Sequence, residues 1–578
     1  MPNTSALPAN NKHQPHGSLK KAPALRWGFF SLCLLLFPLA GAAGQPRSAA
    51  IATAHPDASR AGMKILEAGG NAFDAAVTVS AALAVVEPYS SGLGGGGFWL
   101  LHRADTQGEV MIDGREKAPL AATRDMYLDD TGKPIAGASV NGPLAAGIPG
   151  EVAALVHIAD NYGRLPLKQT LAPAIRLAEK GFEVDEHYRR MAAFRLDALR
   201  ASPAAARQFL KDNDVPPVGY IVRQPDLAKT LRFIADQGRQ GFYGGEVARR
   251  MVSSVRAADG IWTEKDLQAY QIVERPPIVG KYRGWRVVSA APPSSGGIVL
   301  LEMLNMLALQ DIGKMNTVDR IHYVVEVMRR AYRDRAQWLG DGDFVQLPVQ
   351  RLLSREYARR MAVGIDRERA TPSRQLKSFR AEGQDTTHFS ILDKEGNYVA
   401  ATLSINYPFG SGFVAEGTGV LLNDEMDDFS IKPGVANVYG LVGAEANAIE
   451  PGKRMLSSMS PTFLESDQGV AILGTPGGSR IITMVLIGLL EAVDGKSALE
   501  WVKQPRFHHQ YLPDEIQLEP GGFSEELRLE LEKRGHKVVV KERPWGNMQA
   551  VFWNRKENRV EVASDPRGGG LAIKATNK

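Results

Sequence analysis

The stretch GQDTTHFSILDKEGNYVAATLSIN, Gly383 to Asn406, decides how this chain is read. HFSILD and NYVAATLSIN are apolar, β-branched runs, and Lys394-Glu395-Gly396 between them is a turn, so they are predicted to form a hairpin. Two threonines and a histidine stand at its head. A threonine there is either a sheet residue or a nucleophile, and its hydroxyl is weak until something takes the proton. One solution makes the threonine the first residue of a chain, so that its own α-amino group is the base. That amine has a pKa of about 8, well matched to neutral pH. An internal threonine becomes terminal only if the bond before it is cut. Its hydroxyl can attack the preceding carbonyl, pass through an ester and let water hydrolyse it. Spacing alone leaves both readings of Thr386 open.

Outward from the hairpin, GVAILGTPGGSRIITMVLIGLLEAV (469–493) reads as strand, glycine turn and helix, and MQAVFWN with RVEVAS as a late hairpin. Near the front, Asp57 is the expected cap of ASRAGMKILEA, which stops at Gly69-Gly70. Asn71 then caps AFDAAVTVSAALAVVE, stopped by Pro88. GFWLLHR and GEVMIDGRE are strand candidates. From about Gly147 to Arg380 the pattern is mostly helical, and KYRGWRVVSAAPPSSGG reads as one strand followed by a turn. Hairpins mixed with long amphipathic helices, and no fixed-period repeat, predict an α+β fold of sheets covered by helices.

Composition is that of a globular chain, with 44% hydrophobic and 23% charged among 578 residues. Of the formal charge of +5, Lys12, Lys20, Lys21 and Arg26 supply four, so no case for nucleic-acid binding follows. WGFFSLCLLLFPLAGAA after Arg26 has an apolar core of roughly a dozen residues, short for a spanning helix and typical of an export signal. Ala40-Gly41-Ala42 places the expected cleavage near Ala42. The alternative is an uncleaved anchor, the one route to membrane association. Cys33, the only cysteine, lies inside this segment too far from the small residues for lipid attachment. A mature chain without it excludes disulfides, thiolate metal sites and cysteine nucleophiles, which suits a bacterial periplasmic or secreted protein.

Three features look like sites and are read otherwise. GLGGGG, Gly92 to Gly97, spells the dinucleotide fingerprint but follows a helix and precedes a strand, so it is read as a flexible or tightly packed turn. Asp424, Glu425, Asp427 and Asp428 lack a flanking histidine and calcium-loop spacing, and are read as a solvated or substrate-facing loop. His508 and His509 are adjacent, point apart in regular structure and are read as structural.

TTHFS, LLNDEMDDFS, KRMLSSMSPT and GTPGGSRII together closely resemble the gamma-glutamyltransferase (gamma-glutamyltranspeptidase) family of N-terminal-nucleophile hydrolases. AHPDASRAGMKILEAGGNAFDAAV, EPYSSGLGGGGF and IDGREKAP extend the likeness over nearly all of the chain after residue 42. The resemblance implies an αββα four-layer sandwich with two central sheets flanked by helices. It implies scission at Asp385–Thr386, giving a large subunit 43–385 and a small subunit 386–578 that form a heterodimer. Thr386 would be nucleophile and, through its freed amine, base. Thr387, at a variable motif position, would not be the nucleophile, and His388 would support. Ser404 occupies the place of a family threonine that hydrogen-bonds near the nucleophile.

The same likeness implies that Arg115, Ser457 and Ser458 hold the donor's α-carboxylate, and that Asn406, Glu425 and Asp428 hold its α-ammonium. This assignment is chemically apt, because a carboxylate calls for a guanidinium fork and hydroxyl donors. Gly477 and Gly478 would form the oxyanion hole, and with that hole no cofactor and no metal is required. IKPGVANVYGLVGAEANAIEPGKR is glycine-rich, and the family places a lid here, with Tyr439 as a candidate tip. The implied activity is transfer of a γ-glutamyl group from glutathione and related compounds to water or to amino-acid and peptide amines. The alternatives are a cephalosporin or glutaryl acylase of the same superfamily and an unprocessed γ-glutamyl-peptide binding protein.

Overall fold

The computed structural model describes residues 44–373 and 386–575. The expected export segment and Asp385 lie outside the described residues. Among the described residues no helix is long and apolar enough to cross a membrane.

The hairpin forms as predicted and sits near the middle of a seven-stranded sheet. The spatial order is Leu571–Lys574, Ala50–Thr53, Thr387–Leu392, Tyr398–Ser404, Gly96–Arg103, Gly108–Asp113 and Val273–Arg275. Every pairing is antiparallel. Period-two alternation buries both faces of the hairpin. Phe389, Ile391, Val399, Ala401 and Leu403 point into a core shared with the front helices Pro56–Glu67 and Ala72–Val86. Leu392, Tyr398 and Ala400 point the other way, toward a second sheet.

That second sheet has six antiparallel strands, in the order Arg559–Ser564, Gln549–Asn554, Gly469–Gly474, Thr462–Glu465, Trp285–Ser289 and Ile278–Tyr282. Ser390 Oγ donates to the Gln549 carbonyl at 3.1 Å, tying the two sheets face to face. Helices Gly296–Leu307, Thr317–Trp338 and Ile481–Val493 join the core of the second sheet. Two antiparallel sheets flanked by helices are thus observed. The first sheet interleaves strands from before residue 374 and after residue 385.

Two local expectations are corrected. Asp57 is not the cap of the first helix. His55 is, its ring nitrogen accepting from the Asp57 N–H at 3.2 Å, while Pro56 takes the first helical position. A proline at that position has its φ already set for a helix and no N–H to satisfy, which moves the start forward. Asn71 does cap the next helix, in a reciprocal box with Asp74. KYRGWRVVS is also not one strand. Arg283 and Gly284 adopt φ of 44° and 86°, and Tyr282 pairs with Trp285 across them. Two positive φ values in a two-residue loop match the twist of a hairpin.

Candidate active site

Thr386 stands one residue before the Thr387–Leu392 strand and is 5% exposed. Its Oγ1 lies 3.5 Å from Ser404 Oγ, at the end of the neighbouring strand. Ser404 Oγ also accepts the Asn406 N–H at 2.8 Å, so one hydroxyl joins the nucleophile candidate to the loop that carries Asn406. Thr387 Oγ1 instead donates to Glu87 at 2.7 Å. His388 is fully buried between the sheets, with Nδ1 2.8 Å from Thr402 Oγ1 and Nε2 3.3 Å from Ser390 Oγ. Its ring lies against Gly474, where a Cβ would come within 2.2 Å. Burial pushes its pKa down to about 3. A base that weak removes a hydroxyl proton poorly near neutral pH, so the structural part given to His388 agrees with its surroundings.

After the Gly469–Gly474 strand, the glycine turn places Gly477 at φ 141° and Gly478 at φ 54°, just before the helix that starts at Ile481. Both lie in the region that favours glycine. Neither N–H donates to another described residue. The Gly478 Cα lies under the Tyr439 ring, where a Cβ would come within 2.4 Å of Cδ1. Gly478 lines the same cleft as Thr386, and Gly477 sits one residue behind the lining.

The opposite wall is charged. Arg115, 1% exposed, is held by its backbone, which donates to Asp113 at 2.9 Å and accepts from the Tyr270 hydroxyl at 2.7 Å. Its guanidinium bonds Glu425, reaches Asp428 at 2.6 Å and Glu116 at 3.3 Å, and donates from Nε to the Met455 carbonyl. Burial opposes its charge, yet Glu425, Glu116 and Asp428 hold its pKa above the ordinary arginine value. Burial pushes Glu425 up, with Asp428 alongside, against the pull of Arg115. Asp427 is raised to about 7 by burial, although Ser139 and the Val438 N–H donate to it at 2.7 and 2.9 Å. The acidic loop is therefore not solvated. Asp424, Glu425 and Asp427 are buried, and the Arg115 side of the loop faces the cleft.

The structure brings Thr386, Ser404, Asn406, Arg115, Glu425 and Asp428 into one cleft with about 290 Å³ of empty space. Ser457, Ser458, Gly478 and Tyr439 complete it. Asn406 reaches its place through a left-handed φ of 73°, which asparagine tolerates, and its amide donates to the Asp424 carbonyl at 3.0 Å. Tyr439 donates its hydroxyl to the Asn406 carbonyl, so the expected lid segment closes over the cleft.

Sequence reasoning passed over the residues that hold these groups. Asn423 accepts from the Gly147 and Glu425 N–H groups and donates to the Gly94 and Gly147 carbonyls, fixing the start of the acidic loop. Of the two forms of turn expected for the glycine run, the tightly packed one is found. A Cβ on Gly94 would fall 2.0 Å from the Leu421 carbonyl and one on Gly95 2.2 Å from the Ser404 carbonyl. Those small residues let the chain nest against both strands that end at the site. Arg335 Nη2 donates to Ser458 Oγ at 3.1 Å and had no sequence signal. His508 and His509 face different partners, Thr483 with Gln510 and Asp514 respectively, as expected of structural residues. His102, Glu109 and Glu465 have the spacing of metal ligands. There the Arg286 guanidinium bridges both carboxylates, at 2.6 and 2.5 Å.

The family model described as gamma-glutamyltranspeptidase matches residues 58–575. The chain is 43% identical over 544 residues to a protein named glutathione hydrolase proenzyme from a Pseudomonas species, covering 90% of this chain and 93% of that one. It is likewise 43% identical over 525 residues to the glutathione hydrolase proenzyme of Escherichia coli, covering 89% and 90%. Its fold matches the crystal structure of cephalosporin acylase from Bacillus halodurans with a TM-score of 0.80 at 28% identity, over 92% of this chain and 96% of that one.

Proposed function

The chain belongs to the gamma-glutamyltranspeptidase family, and we propose how its cleft performs that family's chemistry. Its activity is γ-glutamyl transfer and glutathione hydrolysis. The observation that carries the residue assignment is the meeting of the Thr386 hydroxyl, the Gly478 backbone and the Arg115–Glu425–Asp428 cluster in one cleft.

Maturation comes first. Thr386 Oγ1 attacks the Asp385 carbonyl carbon, the peptide nitrogen leaves as the Thr386 amine, and water hydrolyses the resulting ester. The products are 43–385 and 386–578. They stay together because the first sheet hydrogen-bonds Ala50–Thr53 and Gly96–Arg103 to the strands after Thr386. The arrangement of two face-to-face sheets between helices supports the αββα sandwich of the N-terminal-nucleophile hydrolases. The leader sequence supports a periplasmic or secreted site.

In turnover, the Thr386 amine takes the hydroxyl proton as Oγ1 attacks the γ-carbonyl of the donor. The oxyanion meets the N–H groups of Gly477 and Gly478, each such donor contributing about 3 kcal/mol to barrier lowering. The leaving amine takes the proton and departs. Water or an acceptor amine then attacks the γ-glutamyl ester on Thr386. Recognition follows from charge. The free cleft holds Arg115 paired with Glu425 and Asp428. A γ-glutamyl head group is a zwitterion and splices into that pair without leaving a net charge. Its carboxylate takes the Arg115 fork with Ser457 and Ser458, and its ammonium takes Glu425, Asp428 and the Asn406 side-chain oxygen.

A glutaryl acylase has no ammonium to place, so three acids around one arginine favour the amino-acid head group. Two measurements test this reading. N-terminal sequencing should give Thr-Thr-His-Phe for the smaller fragment. Turnover of γ-glutamyl-p-nitroanilide should exceed that of glutaryl-7-aminocephalosporanic acid. The reverse order of substrates assigns the chain to the acylases, and one uncut, inactive band assigns it to binding.

A further inference from the structure

We infer that Arg335 is a positioning residue for recognition of the donor's α-carboxylate, acting from behind the cleft wall through Ser458 and Ser457. The inference rests on the functional reading above. Arg335 lies at the end of helix Thr317–Trp338 and is 5% exposed. Its Nε donates to Ser295 Oγ at 3.0 Å and its Nη2 to Ser458 Oγ at 3.1 Å. Ser295 in turn donates its hydroxyl, at 2.7 Å, and its backbone N–H, at 2.8 Å, to the Ser457 carbonyl. One guanidinium therefore fastens both serines from the side away from the substrate.

Two consequences follow. A guanidinium has donors and no acceptor, so Ser458 Oγ must accept from Arg335. Its own proton is then free to be given to an acceptor in the cleft that Ser458 lines. The second consequence is electrostatic. Arg115 is shared among Glu425, Glu116 and Asp428. None of the ion pairs among the described residues includes Arg335. The carboxylate felt most strongly by its guanidinium is Asp428, which lines both this cleft and the adjoining one that Arg335 borders. A buried cation without a close counter-ion is unfavourable. An incoming α-carboxylate on Arg115 and Ser458 supplies one, while the α-ammonium is drawn to Glu425 and Asp428 on the acid-rich side. The two arginines thus set the polarity along which a zwitterion lies.

The test uses the matured enzyme, γ-glutamyl-p-nitroanilide as donor, and two competitive inhibitors, L-glutamate and 4-aminobutyrate. The second lacks only the α-carboxylate. Arg335→Gln should raise the donor KM and the L-glutamate inhibition constant by about 10- to 100-fold, the range of a lost charge-assisted hydrogen bond. It should leave kcat and the 4-aminobutyrate constant within about twofold. Arg335→Lys should regain part of the loss. Equal weakening of both inhibitors, or no weakening, overturns the proposal. If Arg335→Gln does not mature, Ser295→Ala removes one guanidinium contact and should weaken L-glutamate by a few-fold while sparing 4-aminobutyrate, with the same overturning outcomes. Failure of the functional reading is distinct, since matured wild-type enzyme would then not turn over the γ-glutamyl donor at all.

Discussion

The two walls of the cleft are built from opposite materials. Around Thr386 stand hydroxyls and glycine backbone, and behind them, between the sheets, an imidazole whose pKa burial has lowered to about 3. Across from it, one buried guanidinium contacts three carboxyl groups directly. The first wall suits a reaction in which charge appears only in the transition state, where preorganised N–H dipoles stabilise it most. The second suits a ligand that arrives already charged. Bond making and recognition are thereby separated, and each wall should fail in its own way.

The largest effect is expected on the neutral wall. Thr386→Ala removes the hydroxyl that both cuts the chain and carries the acyl group. A denaturing gel should show one uncut band, and γ-glutamyl release should fall by roughly ten-thousand-fold or more, as for loss of a nucleophile. Two bands with normal release would sink the comparison at its root. On the charged wall, Arg115→Gln orphans three acids at once. Unfolding stability at pH 7 should drop by about 3–5 kcal/mol, the usual result of breaking a buried ion pair. The donor KM should rise by about 100-fold or more, while kcat at saturation changes less. A loss confined to kcat would show that Arg115 serves the chemistry and not the head group.

How far these walls could be read from the sequence differs between them. The neutral wall is largely local. The hairpin, the strand–glycine–helix run and the Asn71 cap are short patterns whose physics lies within a dozen residues, and the structure shows each of them. The charged wall is not local. Arg115 and Glu425 are 310 residues apart, and nothing in the spacing of either says that they meet. Family resemblance alone named them. Read locally, the acidic run admits both a solvated and a substrate-facing placement, because charge patterning reports a composition and not a burial. Arg335, Asn423 and Glu116 escaped notice for the same reason. The misread first cap and the missed hairpin at Arg283-Gly284 were local errors, each made by undervaluing a single backbone restraint.

A smaller effect sharpens the neutral wall. His388→Asn keeps a polar group toward Thr402 but removes the imidazole. Because His388 titrates near 3, it does not set the acid limb of kcat/KM. The limb belongs to the Thr386 amine, with a pKa of about 8 in its ordinary range. The variant should lose activity by no more than about tenfold, the scale of one or two hydrogen bonds, and its pH midpoint should stay where it was. A shifted midpoint would place His388 in proton transfer.

The smallest effect on turnover probes the charged wall through pH. Asp427 holds Ser139 and the Val438 N–H at the base of the lid. Burial raises it to about 7, so it binds its proton more tightly folded than unfolded. Its stabilising contribution is complete below the ordinary aspartate value of about 4 and fades as pH climbs through 7. Asp427→Asn removes that titration while keeping the shape. Whatever fixed offset the amide introduces, the difference in Tm between variant and wild type should move in favour of the variant from pH 4 to pH 8. A change of about 3–4 kcal/mol over that range is expected from a carboxyl raised from about 4 to about 7. Paired melting curves at four or five pH values measure it directly. A difference independent of pH would mean that Asp427 is ionised throughout, and that Ser139 and Val438 balance its burial without a proton.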